Sequence, residues 1–235
     1  MNFCRADISK ADEAYYPYLG TKIQYNYGFL NLYNSYGTIG FCAYDNTTGK
    51  YGVVTNAHVA DNWDKTYKNQ SKKDIGVLSK RSLGGTIDAA FVEITNSNMR
   101  VTEEIKASDN IYISIGDLAM ESAIIQGAPV RRFGVTTGDT QGTISYVNYS
   151  VSVEYDEGTK TLTQCVAYTN AGQSGDSGGP VILRTGNLDF VGIHFASRTD
   201  GTLGFACRAT NILSELNLSI VNTQWMLNHP ELWVD

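Results

Sequence analysis

The feature that most constrains this chain is a succession of short runs rich in Val, Ile, Thr, Tyr and Phe: "GTIGFCAY", "YGVVT", "GTIDAAFVEI", "NIYISI", "GTISYVNYSVSVEY", "TLTQCVAY", "PVIL", "LDFVGIHF" and "LGFACRA". Turn signals such as "DNTTGK", "TTGDTQG", "DEGTK", "RTGN" and "RTDG" separate them, so the runs read as strands of an all-β protein. Thr143, Ser145 and Val147 alternate with Ile144, Tyr146 and Asn148, the period of half-buried antiparallel strands closing into sandwiches or barrels. Helical patterning is confined to the end, where Thr210 is predicted to cap "NILSEL" and "TQWMLNHPELW" spaces large apolar side chains. The polar stretch 95–110 reads as a crossing between two β units, and residues 1–22 as an arm.

Composition excludes several function classes. A chain of 235 residues that is 42% apolar can bury a substantial core. Its net charge of -6 offers no basic field for nucleic acid or an anionic membrane surface. No apolar run approaches the roughly 20 residues a bilayer crossing needs. "MNFCRADISK" lacks the order of a signal peptide, so extracellular action presupposes a signal already removed. Cys4, Cys42, Cys165 and Cys207 form no Cys-x-x-Cys pair, which argues against a zinc ribbon or thioredoxin-type site. No His, Cys or carboxylate cluster has metal-ligand spacing, and the expectation is no metal and no cofactor.

The chemistry centres on "AGQSGDSGGPV", residues 171–181, where Ser177 sits among glycines. A serine hydroxyl needs a base within hydrogen-bond reach and a third group to orient that base. The chain has three histidines, His58, His194 and His229. His229 stands beside a proline in the terminal tail, which suits a surface or packing role. Asp88 opens the apolar run "DAAFVEI", an unfavourable place for a carboxylate unless something bonds to it.

These motifs resemble those of the chymotrypsin-like serine peptidases: "TNAHV" their histidine motif, "DAAFV" their aspartate motif and "GDSGGP" their serine motif, in that order. The resemblance runs from about Gly37 to about Val221. It is closest to the short bacterial branch containing the streptogrisins, whose segment after the domain crossing "GAPVRRFGVTTGDTQGTISYVN" also resembles. Val59 follows His58 where many relatives carry a cysteine. The resemblance implies two six-stranded antiparallel Greek-key β-barrels with the active site in the cleft between them and a short C-terminal helix. The expected divisions are an arm at 1–22, a first barrel at 23–103, a second at 104–221 and a helical tail at 222–235. It implies His58, Asp88 and Ser177 as the triad, with the N–H groups of Gly175 and Ser177 as the oxyanion hole.

By the same resemblance, Ala171 lies at the base of the specificity pocket, where an acidic residue would select Lys or Arg. Ser174, His194 and Ser197 match the positions with which glutamyl endopeptidases of this fold hold a substrate carboxylate, so cleavage after Glu, then Asp, is expected. The alternatives are a pocket for small or apolar residues with a structural His194, and a non-catalytic binding protein on the same fold. The expected partners are polypeptide substrates and a pro-segment or protein inhibitor, with the enzyme secreted and monomeric. Processing is predicted near residues 13–22, with Glu13 a candidate self-cleavage site, and Cys165 with Cys207 is the disulfide pair to test.

Overall fold

The structure is a computed structural model that describes residues 15–27 and 33–229. Its strands are β1 (Lys22–Tyr27), β2 (Tyr33–Thr38), β3 (Phe41–Asp45), β4 (Lys50–Thr55), β5 (Thr66–Asn69), β6 (Asp74–Gly84) and β7 (Ile87–Ile94). A short ribbon follows, β8 (Glu104–Ser108) with β9 (Ile111–Ser114). Then come β10 (Pro129–Gly134), β11 (Gly138–Tyr155), β12 (Gly158–Thr169), β13 (Pro180–Leu183), β14 (Phe190–Ser197) and β15 (Leu203–Arg208). The chain closes with helix α1 (Ala209–Leu216), β16 (Leu218–Ile220) and α2 (Thr223–Leu227).

The second unit is the closed six-stranded barrel expected, in the order β10-β11-β12-β15-β14-β13. A long connection from β12 to β13 lets β15 return beside β12, a Greek-key step. That connection, residues 170–179, carries the serine turn. The first unit is an antiparallel sheet as expected but counts eight strands rather than six, in the order β16-β3-β4-β7-β6-β5-β1-β2. Residues 218–220, assigned by sequence to the second barrel, instead pair with β3, Leu218 opposite Asp45. The returning strand covers an edge that β3 would otherwise expose. Residues 104–114, also assigned to the second barrel, form the separate β8–β9 ribbon.

Two further expectations are corrected. Residues 15–22 are not a loose arm: Leu19 and Ile23 are fully buried, and bridges join Tyr15 to Met99 and Leu19 to Ile105. Of the predicted processing region, this part is packed, while Glu13 lies outside the described residues. Thr210 does not cap α1, because Arg208 occupies the N-cap without a side-chain hydrogen bond and Thr210 falls within the first turn. In α2, by contrast, Asn222 caps through Trp225 N–H, and His229 stacks on Trp225 at 3.8 Å.

The buried pattern explains the site's placement. β7 is buried on both faces from Ile87 to Val92, as a strand with neighbours β4 and β6 must be. Because β4 and β7 are antiparallel with Thr55 opposite Ala90, the end of β4, just before His58, meets the beginning of β7 at Asp88.

A second buried carboxylate fastens the other end of this sheet. Asp45 is fully buried and accepts from Lys80 Nζ at 2.6 Å, Thr47 N–H at 2.8 Å and the Thr48 hydroxyl at 3.0 Å. Lys80 also reaches the Leu216 carbonyl at 2.8 Å, tying α1 to the sheet. Burial pushes the Asp45 carboxyl up, but Lys80 and the turn donors outweigh it and hold it below its ordinary range. Lys80→Met should cost about 2 to 3 kcal/mol in urea unfolding, somewhat less than a fully buried pair because Lys80 keeps 21% exposure. A depressed carboxyl stabilises above its unfolded pKa, so the deficit should shrink as the pH falls below about 4.

Candidate active site

His58 and Asp88 are brought together as the sequence predicts. His58 Nδ1 lies 2.5 Å from Asp88 Oδ2, with the aspartate side chain fully buried and the histidine 26% exposed. Asp88 Oδ1 accepts from the backbone N–H of Ala57 at 2.7 Å and of His58 at 3.2 Å. Asn56 Nδ2 donates to the Asp88 carbonyl at 2.7 Å, locking the end of β4 to the start of β7. The Tyr155 hydroxyl donates to Oδ2 at 3.1 Å. Four donors on two oxygens satisfy a carboxylate that burial would otherwise make prohibitive.

Ser177 lies half-buried in the turn before β13. Thr38, at the end of β2 and fully buried, joins this turn to the first sheet. Its N–H donates to the Ser177 carbonyl at 2.8 Å, its hydroxyl donates to the Gly175 carbonyl at 2.8 Å, and its own carbonyl accepts from the Thr55 hydroxyl at 2.8 Å. Thr55 ends β4, so Thr38 connects the serine turn to the strand that leads into His58. Gly178 must be glycine here, with φ +94° and an added Cβ only 2.1 Å from the Thr38 carbonyl oxygen. The structure records no hydrogen bond between Ser177 Oγ and His58 Nε2.

The turn itself has a defined hand. Asp176 N–H donates to the Gln173 carbonyl at 3.0 Å, and Gly175, the third residue of that turn, has φ +96°, a conformation that favours glycine. The Thr136 hydroxyl donates to the Ser174 carbonyl at 2.6 Å. Because the 174–175 peptide is planar and trans, fixing that carbonyl directs the Gly175 N–H the opposite way. Neither the Gly175 nor the Ser177 N–H has an acceptor among the described residues.

Asp176 holds this conformation from beneath. It is fully buried and accepts from the N–H groups of Gln173, Thr136 and Thr137 at 2.9 to 3.0 Å and from the Thr137 hydroxyl at 2.8 Å. Arg132, 1% exposed on β10, places Nη1 2.9 Å from Asp176 Oδ2 and sends Nη2 to the Thr137 hydroxyl at 2.9 Å. Burial acts to raise the Asp176 carboxyl, but these donors and the guanidinium hold it below its ordinary range.

The residues expected to set specificity are only partly assembled. His194 on β14 is 2% exposed; its Nδ1 lies 2.7 Å from the Tyr168 hydroxyl and its Nε2 3.4 Å from Ser197 Oγ. Ser197 Oγ also accepts from Gly172 N–H at 2.7 Å. Burial, followed by the charge of Arg132, pushes His194 down to about 3. Ala171 is half-buried, with its carbonyl 3.5 Å from Arg132 Nη2. Ser174 is exposed, and its hydroxyl bonds to neither His194 nor Ser197. A cavity of about 710 Å³ opens elsewhere, lined among others by Tyr16, Tyr51, Met99, Val101 and Met226, and contains none of these residues. Among the described residues, no group of three His, Cys, Asp or Glu is placed to hold a metal ion.

Cys165 and Cys207 are not joined. Both are buried free thiols, as is Cys42, while Cys4 lies outside the described residues. The strands are neighbours as expected, with Val166 opposite Ala206. Cys207 Sγ instead accepts from Asp88 N–H at 3.2 Å, and burial pushes Cys165 up to about 12 and Cys207 well above its ordinary value.

Sequence patterning did not identify Arg132, Thr38, Thr136, Tyr155 or Tyr168. Arg132 left one signal: an arginine at the inward position of a strand that also buries Val130 and Gly134. Arg132→Met strands the buried Asp176 carboxylate, so urea unfolding should show a loss of about 3–5 kcal/mol. Turnover per folded molecule should also fall, because the serine turn loses its support.

Residues 46–215, more than half of the chain, match the family model described as Trypsin. A search of curated proteins returns no match. Among solved structures, the Nocardiopsis protease NAPase is 25% identical, with 88% of this chain and 99% of that one covered and a TM-score of 0.70. Thermobifida fusca Protease A is 24% identical over 88% of this chain and 100% of its own, with a TM-score of 0.69. A serine protease described as glutamic acid specific, with a histidine triad in substrate binding, is 23% identical over 86% and 99%, with a TM-score of 0.67. This chain belongs to the trypsin family and is a serine endopeptidase.

Proposed function

We propose that the endopeptidase cleaves after Glu, less readily after Asp, with Ser177 as nucleophile, His58 as general base and Asp88 as the group that orients the base. The 2.5 Å contact between His58 Nδ1 and the buried Asp88 carboxylate carries the triad assignment. It leaves Nε2 as the nitrogen that takes the Ser177 proton while the serine oxygen attacks the scissile carbonyl. The N–H groups of Gly175 and Ser177 then receive the negative charge of the tetrahedral intermediate, each worth about 3 to 4 kcal/mol. His58 returns the proton to the leaving amine, and water repeats the cycle on the acyl-enzyme.

The preference for an acidic residue rests on His194 beside Ser197. Hydroxyl and imidazole donors satisfy a substrate carboxylate, whereas an apolar side chain leaves them unpaired. The glutamic acid specific relative is described with a histidine triad. Here Tyr168 occupies the Nδ1 side of His194, and His58 and His229 are committed elsewhere. The competing reading, a pocket for small or apolar residues, draws on the same histidine, since 2% exposure and a bond to Tyr168 also describe a satisfied core residue. Extracellular action as a monomer on polypeptides, with a pro-segment or protein inhibitor as regulator, completes the proposal and is supported by the family alone.

Matched chromogenic peptides ending in Glu, Asp, Leu, Ala and Arg separate the two pockets, with Ser177→Ala as blank. We expect Glu to dominate and its advantage over Leu to fall by about two orders of magnitude in His194→Ala. Cleavage after Leu or Ala that ignores His194→Ala would establish the apolar pocket instead.

A further inference from the structure

The hairpin of β11 and β12 leaves its own barrel. Residues Val166–Thr169 of β12 pair with β15, whereas among the described residues the outer part of the strand, 158–161, pairs only with β11, and Leu162 also bridges Gly85. The hairpin is bent by register shifts between Ile144 and Val151, with Asn148 at φ +56° and Gln164 at φ +57°. Bulges of this kind redirect strands beside active sites. Arg208, 4% exposed, holds the bend by donating to the Gln164 carbonyl and to Asn148 Oδ1, both at 3.0 Å.

The redirected hairpin lies against the first sheet. Thr163 N–H donates to the Gly85 carbonyl at 2.8 Å in the β6–β7 turn. Arg81 on β6 pairs with Glu157 at the hairpin tip and donates from Nε to the Ala57 carbonyl at 3.0 Å. Tyr155, opposite Gly158 in the last pair before the tip, is thereby delivered to Asp88. Its ring lies 5.4 Å from that of His58.

We propose that Tyr155 is a positioning residue of the triad, supplied by the second barrel to the acid of the first: its hydroxyl fixes the Asp88 oxygen that His58 Nδ1 uses. The polarity is unambiguous, because an ionised carboxylate only accepts. Burial, with the charge of Asp88 next, keeps the Tyr155 phenol protonated well above its ordinary range. The inference rests on the triad assignment and adds to it a coupling between the hairpin and the base.

The sign of the coupling follows from charge. The Tyr155 bond is strongest when Oδ2 carries its full negative charge, which is when His58 is neutral. Tyr155 therefore favours neutral His58, the form that accepts the serine proton, and deleting the hydroxyl removes that bias. The other titratable or charged groups around this pair are Cys207 on β15, Cys165 on β12, Arg81 on β6, Glu157 at the hairpin tip and His194 on β14. The two cysteines are protonated thiols, and Tyr155→Phe alters none of these groups.

Tyr155→Phe keeps the ring and deletes only the hydroxyl, so it tests the bond rather than the packing. With the wild-type enzyme active and Ser177→Ala inactive, we expect kcat to fall about tenfold with little change in KM. The acidic limb of kcat/KM should move up by roughly half a pH unit. The far-downfield proton resonance of the His58 Nδ1–H should shift in the same variant at unchanged circular dichroism. Unchanged kcat, acidic limb and resonance in Tyr155→Phe would overturn the role of Tyr155 and leave the triad intact. Activity persisting in Ser177→Ala would overturn the triad assignment and this inference with it.

Discussion

The buried contact between Arg132 and Asp176 organises more of this molecule than any other single interaction. Both side chains are essentially without solvent, the guanidinium at 1% and the carboxylate at 0% exposure. An isolated charge at that depth is not tolerated, so each must find partners. Asp176 finds them in the N–H groups of Gln173, Thr136 and Thr137, and in doing so fixes both the serine turn and the loop after β10. Thr136, held by that loop, turns the Ser174 carbonyl and thereby the Gly175 N–H. Arg132 is also the charge that, after burial, depresses His194. One ion pair thus reaches the serine turn, the N–H groups of Gly175 and Ser177, and His194.

Asp88 repeats the same physics in the other half. Its carboxylate accepts from Ala57, His58 and Tyr155, and its backbone N–H meets Cys207 Sγ. Partners come from both units, as they do at Thr38, which belongs to the first sheet and bonds to the serine turn of the second. Satisfying buried polar groups therefore ties the two halves together, and apolar packing such as Phe41 against Phe190 at 5.1 Å fills the space between.

What was legible in the sequence follows the same division. His58, Asp88 and Ser177 each sit in a short local motif, and antiparallel pairing of β4 with β7 then needs only adjacency to join the first two. The strand runs were readable from composition and alternation. Arg132, Thr38, Tyr155 and Tyr168 were not, because each acts at a partner far along the chain, and nothing in "VRRFG" or "SVEYDEG" states where a bent hairpin or an inward arginine will arrive. The return of residues 218–220 to β3 and the start of α1 at Ala209, with Arg208 rather than Thr210 at the N-cap position, have the same origin: tertiary pairing decided them over local preference. The free thiols of Cys165 and Cys207 show that neighbouring strands alone do not make a disulfide.

Labelling with a fluorophosphonate probe, read by intact mass and peptide mapping, tests the central claim that Ser177 is a nucleophile activated by His58. The account predicts one label per chain, on Ser177, at a rate that drops sharply in His58→Ala. No label, or a label that persists in Ser177→Ala, would contradict it.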